Sequence, residues 1–275
     1  DISQTMEAMD FSPNRLEAAK KVASEFIDSR PNDRIGLVVF SGKSFTQCPL
    51  TIDHAVLKNI FSSVKTGMIE DQRTALGNGL ATSISRIKDS KSISKVVILL
   101  TDGMNNTGEV DPLTAAEMAK LYNIRVYTIG VGTYGEAMYP FQTPFGIQYQ
   151  KGKVEIDEGL LKQISAMTQG KYFRATNNKS LQQIYAEIDK MEKSKIEEIN
   201  YSNKKEEFQG RFKEVRKSLK GKVFGEVLTQ ATHIAEYISQ NLYRPFSAEQ
   251  KYIEDRLNEI RRQTKKSISD ISPWL

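Results

Sequence analysis

The chain of 275 residues has little cysteine and little histidine. Its single cysteine, Cys48, excludes an intramolecular disulfide framework and a zinc site built on several thiolates, and only His54 and His233 are available for histidine catalysis. Long apolar runs are also missing, because the longest aliphatic run, residues 96–100, is far shorter than the roughly 20 residues of a membrane span. The sequence therefore contains no disulfide scaffold and no candidate for a membrane-spanning helix.

The net charge of +5 is confined to the C-terminal part of the chain. Residues 193–275 hold 17 Lys and Arg against 12 Asp and Glu, whereas residues 1–192 are neutral. A basic segment can bind nucleic acid or anionic lipid, but the two signs are mixed here, which is more typical of a solvated helical face. We therefore expect no nucleic-acid partner.

Helical and strand-like segments alternate through the first 192 residues. Buried strands are predicted at 35–40, 95–101, 125–131 and 171–175, and helices at 16–27, 53–65, 112–122, 157–168, after Gly77 and from Ser180. This alternation predicts an α/β fold, with a doubly wound, mostly parallel sheet, right-handed crossovers and helices on both faces.

Two segments depart from the alternation. Residues 134–153 are rich in Tyr, Phe, Pro, Gly and Gln, and they predict an ordered excursion or hairpin at the rim of the sheet. Beyond about residue 200 the sequence is helical with mixed charge, and residues 247–250 have capping-box spacing ahead of an apolar stripe at 252–260. We expect one domain over residues 1–200 and a helical tail of unknown role over 201–275.

Three polar clusters fall at the carboxyl edge of the predicted sheet, where open α/β sheets bind ligands. They occupy residues 1–6, 71–77 and 100–103. Their oxygen donors are the carboxylates of Asp1 and Asp102 and the hydroxyls of Ser3, Thr5 and Thr74. Oxygen donors without a soft ligand favour a hard cation such as Mg²⁺. A partner's carboxylate could fill an open coordination position, which would be recognition by coordination.

The clusters resemble the metal-ion-dependent adhesion site of von Willebrand factor A domains, in the order Asp-x-Ser-x-Thr, a distant Thr and Thr-Asp-Gly. Longer stretches resemble the BatA-type aerotolerance proteins of bacteria, among them Pro-Asn-Arg-Leu-Glu-Ala-Ala-Lys at 13–20 and Leu-Leu-Thr-Asp-Gly-Met-Asn-Asn-Thr-Gly at 99–108. Residues 34–40, 44–51 and 139–146 resemble the same proteins. The resemblance covers about residues 1–200 and does not extend into the tail.

This resemblance implies a function and a set of ligands. Ser3, Thr5 and Thr74 would ligate a divalent cation, Mg²⁺ or another such as Mn²⁺ or Ca²⁺, and Asp1 and Asp102 would hold it directly or through water. The implied protein is a non-enzymatic interaction domain that engages an acidic residue of a protein partner. It would belong to a bacterial envelope and stress-tolerance complex with other von Willebrand factor A proteins and a MoxR-type AAA ATPase.

The resemblance also implies a larger protein. In this family a central strand precedes the residue equivalent to Asp1, and membrane helices flank the domain. We therefore expect a fragment that is soluble as given, with a sheet that lacks its middle strand. The whole protein would be anchored in the bacterial inner membrane through segments absent from this chain, with the domain facing the periplasm.

Three residues depart from the family pattern. Gln4 stands where Gly is common, Thr5 stands where Ser is usual, and Arg73 places a cation beside Thr74. Threonine keeps the donor oxygen but is stiffer, and Gln makes the turn less permissive than Gly would. A structural scaffold with a degenerate, metal-free site, whose hydroxyls cap turns and helices, is thus one alternative. The other is a metal-assisted hydrolase, which needs a general base that the three clusters do not supply.

Several other sequence features could suggest a functional site, but each has a simpler structural interpretation or leaves two interpretations open. Residues 130–135 match the letters of G-x-G-x-x-G, but a dinucleotide site needs a helix directly afterwards and a loop is expected there. Cys48 is expected to be a small buried residue, and His54 a surface or capping residue. The aromatic residues of the excursion are either self-packing or a partner-binding patch; they are Tyr139, Phe141, Phe145 and Tyr149.

Overall fold

The computed structural model describes residues 1–143 and 146–219, so the capping box and stripe predicted at 247–260 lie outside the described residues. The described strands are β1 (Ile35–Phe40), β2 (Ser44–Thr51), β3 (Val96–Thr101), β4 (Arg125–Val131), β5 (Glu136–Thr143), β6 (Gly146–Lys153) and β7 (Tyr172–Ala175). The helices are α1 (Arg15–Asp28), α2 (His54–Ser62), α3 (Leu76–Ile87), α4 (Pro112–Leu121), α5 (Glu158–Met167) and α6 (Asn178–Leu219), and a short 3₁₀ helix covers Gln4–Glu7.

Strands β3, β4 and β7 form a parallel sheet with β4 in the middle. β4 is buried along most of its length, and a strand buried on both faces has a continuous apolar sequence, which is why residues 125–131 could be recognised as a strand. Ile129 packs with α1 and α6 on one face, through Leu16 and Leu181. Val126 packs with α3, α4 and α5 on the other face, for example through Leu80. The predicted doubly wound α/β fold is confirmed.

A second, antiparallel sheet pairs β1 with β2, with Phe40 opposite Ser44. No strand was predicted at 44–51, whose polar residues and Pro49 weaken the strand pattern. Within the described residues, β1 and β3 share no backbone pairing, and a cavity of about 700 Å³ lies between them, lined on its two sides by residues such as Leu37 and Ile98. The family resemblance places a middle strand there, and that strand stays a prediction.

Four of the helices have an N-cap residue whose side chain accepts a backbone hydrogen bond. Asn14, Asp53, Asp111 and Asp157 each accept a hydrogen bond from the backbone N–H three residues further on, at 2.8 to 3.0 Å. Such caps satisfy N–H groups that have no partner within the helix. They fix where α1, α2, α4 and α5 begin, close to the predicted positions.

The region predicted as an excursion or hairpin is a hairpin. β5 and β6 pair from Glu136 opposite Lys153 to Thr143 opposite Gly146. Later in the chain, α6 continues past residue 200 without interruption. Contacts divide the chain into a unit at Asp1–Ile196 and a second unit from Glu197, while the boundary at residue 200 stays a prediction. Among the described residues, no helix combines the length and apolarity needed to cross a membrane.

Candidate metal centre

The first loop curls around the carboxylate of Asp1. The backbone N–H of Ser3 donates a hydrogen bond to Asp1 Oδ1 at 2.8 Å, and the 3₁₀ helix begins at the next residue. Ser3 is the N-cap of that helix, yet its side chain caps no backbone N–H. Instead, Ser3 Oγ lies 3.1 Å from Thr5 Oγ1. The i, i+2, i+4 spacing therefore places the two hydroxyls together, as the sequence predicted.

Asp102 meets these hydroxyls from the end of β3. Thr5 Oγ1 donates to Asp102 Oδ1 at 2.7 Å. The hydroxyl of the preceding residue, Thr101, donates to Asp1 Oδ2. Oxygens from the first and third polar clusters are thus joined in one hydrogen-bonded chain.

Thr74, on the loop before α3, lies beside Gly103 at the end of β3. A Cβ atom built on Gly103 would lie 3.3 Å from Thr74 Oγ1, so this hydroxyl lies beside the residue that follows Asp102. The Thr74 N–H donates to Asn106 Oδ1 at 2.8 Å, and the Asn106 N–H donates to the Thr74 carbonyl at 3.1 Å. Asn106 therefore fixes the backbone that presents the Thr74 hydroxyl.

A neighbouring contact fixes the start of α3. Its N-cap, Ala75, has no side chain that can cap, and Asn105 Oδ1 accepts from the Leu76 N–H at 2.9 Å instead. Gly77 allows the two segments to touch, because a Cβ there would lie 2.0 Å from the Val110 carbonyl oxygen. The start of α3 and the segment that leads into α4 are consequently held in close backbone contact.

The structure brings the five predicted site residues to one edge of the parallel sheet. Ser3, Thr74 and Asp102 are 1%, 4% and 2% exposed, so their oxygens are positioned by surrounding protein. Residues 1–143 and 146–219 contain no cluster of three or more His, Cys, Asp or Glu side chains suited to a metal. A metal site on these residues must therefore use hydroxyls as well as carboxylates, and this donor set fits a hard divalent cation. The role of the five residues as ligands stays a prediction.

Arg15 contacts the site, and sequence reasoning missed it. Its side chain is fully buried, and its Nη1 donates to Asp102 Oδ2 at 2.7 Å. Its Nε and Nη2 donate to the two carboxylate oxygens of Asp10 at 2.7 and 2.8 Å. The guanidinium also lies over the Tyr139 ring, 5.6 Å from its centroid. Arg15 thus connects α1, the end of β3 and the hairpin.

Burial and the guanidinium of Arg15 shift the pKa values of the neighbouring carboxyls in opposite directions. Burial raises the pKa of Asp102, although Arg15 and the Thr5 hydroxyl oppose that rise. Burial would also raise the pKa of Asp10, but hydrogen bonds from Arg15 and from a backbone N–H outweigh it and hold that pKa below its usual value.

Arg73, which the sequence placed beside the site, pairs elsewhere. Its Nη2 lies 2.7 Å from Asp71 Oδ2 and its side chain is 62% exposed. The positive charge next to Thr74 in the sequence is therefore neutralised within its own loop.

The glycine-rich stretch at 130–135 has a packing role. The hairpin follows it instead of a helix, which agrees with setting aside a dinucleotide site. A Cβ atom on Gly132 would lie 3.1 Å from Arg15 Nη2 and 2.9 Å from Val154 Cγ1. Glycine at this position leaves room for the buried guanidinium.

Two other predictions concern residues away from the site. Cys48 is buried, as expected of a lone thiol that packs as a small apolar residue. His54 is the first residue of α2, and its Nε2 lies 2.8 Å from the Asp33 carbonyl oxygen.

The chain matches a known domain family and several similar proteins. The model of the von Willebrand factor type A domain matches residues 1–187. An uncharacterized protein of Borreliella burgdorferi is 31% identical over 194 residues, which are 70% of this chain and 57% of that protein. The chain thus spans less than two thirds of that curated relative.

Two solved structures are similar in sequence and in fold. The conserved hypothetical protein BatB from Bacteroides thetaiotaomicron is 32% identical with a TM-score of 0.58, and the match covers 70% of this chain and 96% of BatB. An aerotolerance-related membrane protein from Bacteroides fragilis is 28% identical with a TM-score of 0.58, over 68% of this chain and 94% of that one. Both matches agree with the resemblance found in the sequence.

Proposed function

The chain belongs to the von Willebrand factor type A family, and from this premise we propose that it is a metal-dependent protein-interaction domain. In this proposal Ser3, Thr5 and Thr74 provide hydroxyl ligands, and Asp1 and Asp102 hold the cation directly or through water. The observation that carries the proposal is the convergence of Ser3 Oγ, Thr5 Oγ1 and Asp102 Oδ1, with successive separations of 3.1 and 2.7 Å. Side chains that only capped helices would not be expected to converge in this way.

The donor set supports recognition of an acidic partner. Neutral hydroxyl ligands leave most of the charge of a bound divalent cation available to attract a carboxylate. In the structure, the Thr5 hydroxyl donates a hydrogen bond to Asp102 Oδ1. As a ligand, Thr5 would offer a lone pair of its hydroxyl oxygen to the cation and direct its proton elsewhere, and a threonine hydroxyl can do this as a serine hydroxyl can. Thr5 thus retains the function of the serine usual in the family.

Charge balance also supports a divalent cation. Asp10 and Asp102 are both bonded to the buried guanidinium of Arg15, and Asp1 accepts hydrogen bonds from Ser3 and Thr101 in the same region. With the three carboxylates ionised and Arg15 protonated, the region has a net charge of about −2, which attracts a divalent cation. Mg²⁺ is the favoured ion in this proposal because the donors are all oxygen, and Mn²⁺ and Ca²⁺ use the same donors.

We propose no catalytic role for the domain. Both carboxylates of the site are assigned to the metal, which leaves no general base next to it. His54 contacts the Asp33 carbonyl and none of the five site residues. The von Willebrand factor type A domain is in general a protein-interaction fold, which agrees with this assignment.

The cellular setting is proposed from the relatives. A similar structure is described as an aerotolerance-related membrane protein. We infer that this chain is part of a bacterial envelope complex, anchored at the inner membrane through other segments, with the domain in the periplasm. Its partners would be a protein with an accessible acidic residue, other von Willebrand factor A proteins and a MoxR-type ATPase.

Calorimetric titration with Mg²⁺ and Mn²⁺ tests the proposed metal site. We expect the wild type to bind one ion, Thr74→Ala and Asp102→Ala to lose that binding, and Thr114→Ala, a threonine at the start of α4, to retain it. If the wild type binds no ion, or the two site variants bind as well as the wild type, the scaffold interpretation is favoured. Turnover of phosphoester substrates that disappears in the same two variants would favour a hydrolase.

A further inference from the structure

Arg15 is buried between two carboxylates with different surroundings. The side chains of Arg15 and Asp102 are both 0% exposed, and that of Asp10 is 6% exposed. The guanidinium uses two nitrogens on Asp10 and one on Asp102. A buried cation of this kind is stable only when its charge is matched by nearby anions.

The Asp102 carboxylate is divided between Arg15 and the candidate metal site. Its Oδ2 accepts from Arg15, while its Oδ1 accepts from Thr5. A cation bound at the hydroxyls would face Oδ1 and could leave the bond between Arg15 and Oδ2 intact. Arg15 and the metal would then share one carboxylate from opposite sides, and two positive charges that close together repel each other.

We propose that Arg15 is a built-in counter-ion that limits the affinity of the site for cations and keeps occupancy reversible. This inference rests on the proposed metal-binding function. When no cation is bound, Arg15 compensates the charge of Asp102 and holds its carboxylate in position. When a cation binds, Arg15 repels it, and Asp10 reduces that repulsion by neutralising part of the guanidinium charge.

A purely structural role for the same ion pair predicts a different pattern. If Arg15 and Asp10 only support the loop, removal of either one should misplace Asp102 and weaken metal binding. The counter-ion role predicts effects of opposite sign. Loss of the positive charge should strengthen binding, and loss of the Asp10 charge should weaken it.

The test compares three variants of the full chain by calorimetric titration with Mn²⁺ and with Tb³⁺. We expect Arg15→Gln to bind Mn²⁺ at least tenfold more tightly than the wild type, Arg15→Lys to remain within about threefold, and Asp10→Asn to bind severalfold more weakly. Because Coulomb energy scales with ion charge, each change should be larger for Tb³⁺ than for Mn²⁺. Thermal unfolding provides a second readout, in which Arg15→Gln should melt lower than the wild type without metal and gain more from added Mn²⁺.

The possible outcomes separate this inference from the proposed function. Absence of metal binding in the wild type would refute the proposed function itself. A wild type that binds, together with weaker or unchanged binding in Arg15→Gln, would overturn the counter-ion role alone. If Arg15→Gln does not fold even with metal, Asp10→Asn decides: its binding must weaken more for Tb³⁺ than for Mn²⁺, and an equal loss for both ions overturns the inference.

Discussion

Replacing Asn106 with alanine should separate the position of Thr74 from its chemistry. The hydroxyl of Thr74 is left untouched by this change, but its backbone N–H loses the acceptor Asn106 Oδ1, now 2.8 Å away. The reverse bond, from the Asn106 N–H to the Thr74 carbonyl at 3.1 Å, does not involve the side chain and can persist. The variant therefore loosens the presentation of the hydroxyl without removing it.

The structure sets the size of the effect. Thr74 is only 4% exposed, so its N–H would have limited access to water as a replacement partner. Leaving a buried donor unpaired costs about 1–3 kcal/mol of folding free energy. Residues that orient a metal ligand typically change metal affinity about 10- to 100-fold when they are removed, and we expect a loss in this range for Mg²⁺.

Urea unfolding and Mg²⁺ titration of the same samples measure both effects. Asn105→Ala is the matched control, because it removes an equivalent acceptor, 2.9 Å from the Leu76 N–H, two residues beyond Thr74. We expect similar destabilisation in both variants and the larger loss of Mg²⁺ affinity in Asn106→Ala. Destabilised Asn106→Ala with wild-type affinity would refute the reasoning, because the bond from Thr74 N–H to Asn106 would then not control metal binding.

Three further predictions concern Gly77, Thr5 and Glu192. Gly77→Ala should destabilise the protein by about 3 kcal/mol and weaken Mg²⁺ binding, because the added Cβ would lie 2.0 Å from the Val110 carbonyl oxygen. Urea unfolding measures the stability and calorimetric titration measures the Mg²⁺ affinity. Wild-type values of both would contradict the prediction. Thr5→Ser should keep Mg²⁺ affinity within about threefold in calorimetry, since the donor oxygen remains; a complete loss would show that the methyl group is required. Burial would raise the pKa of Glu192, but hydrogen bonds led by those of Arg125 outweigh it and hold the pKa below the usual 4.5. The stability that this lowered pKa provides is fully present above about pH 4.5 and is lost as the pH falls through the folded-state pKa. Glu192→Gln should therefore be less stable than the wild type at pH 7, by roughly 2–3 kcal/mol, and should lose less stability on acidification. Parallel curves of stability against pH for the two proteins would contradict this.

Most strands of the parallel sheet could be predicted because buried strands have short, continuous apolar sequences. Residues 125–131 are apolar without interruption and form β4, the middle strand of the parallel sheet. β2 was missed because its polar residues and Pro49 do not alternate clearly, and its pairing with β1 is what defines it as a strand. The helix starts were close to correct because capping residues act within one turn.

The candidate site was predicted in part for a similar reason. The hydroxyls of Ser3 and Thr5 are two residues apart in one loop, so their spacing alone indicates convergence. Arg15 lies in the family-like stretch at 13–20, but its role at the site could not be predicted, because its bond to Asp102 joins residues 87 positions apart. Asn106 belongs to the family-like stretch at 99–108, but its contact with Thr74 also depends on the tertiary fold. Sequence spacing indicated which oxygens converge, and the tertiary structure was needed to find what positions them.

Anomalous diffraction from crystals of the protein soaked in Mn²⁺ tests the metal site most directly. The account predicts one strong peak about 2.0–2.2 Å from Ser3 Oγ and Thr5 Oγ1, with Thr74 Oγ1 and the carboxylates of Asp1 and Asp102 in direct or water-mediated contact. A crystal with these hydroxyls ordered and no peak beside them, or with its only peak elsewhere on the surface, would contradict it.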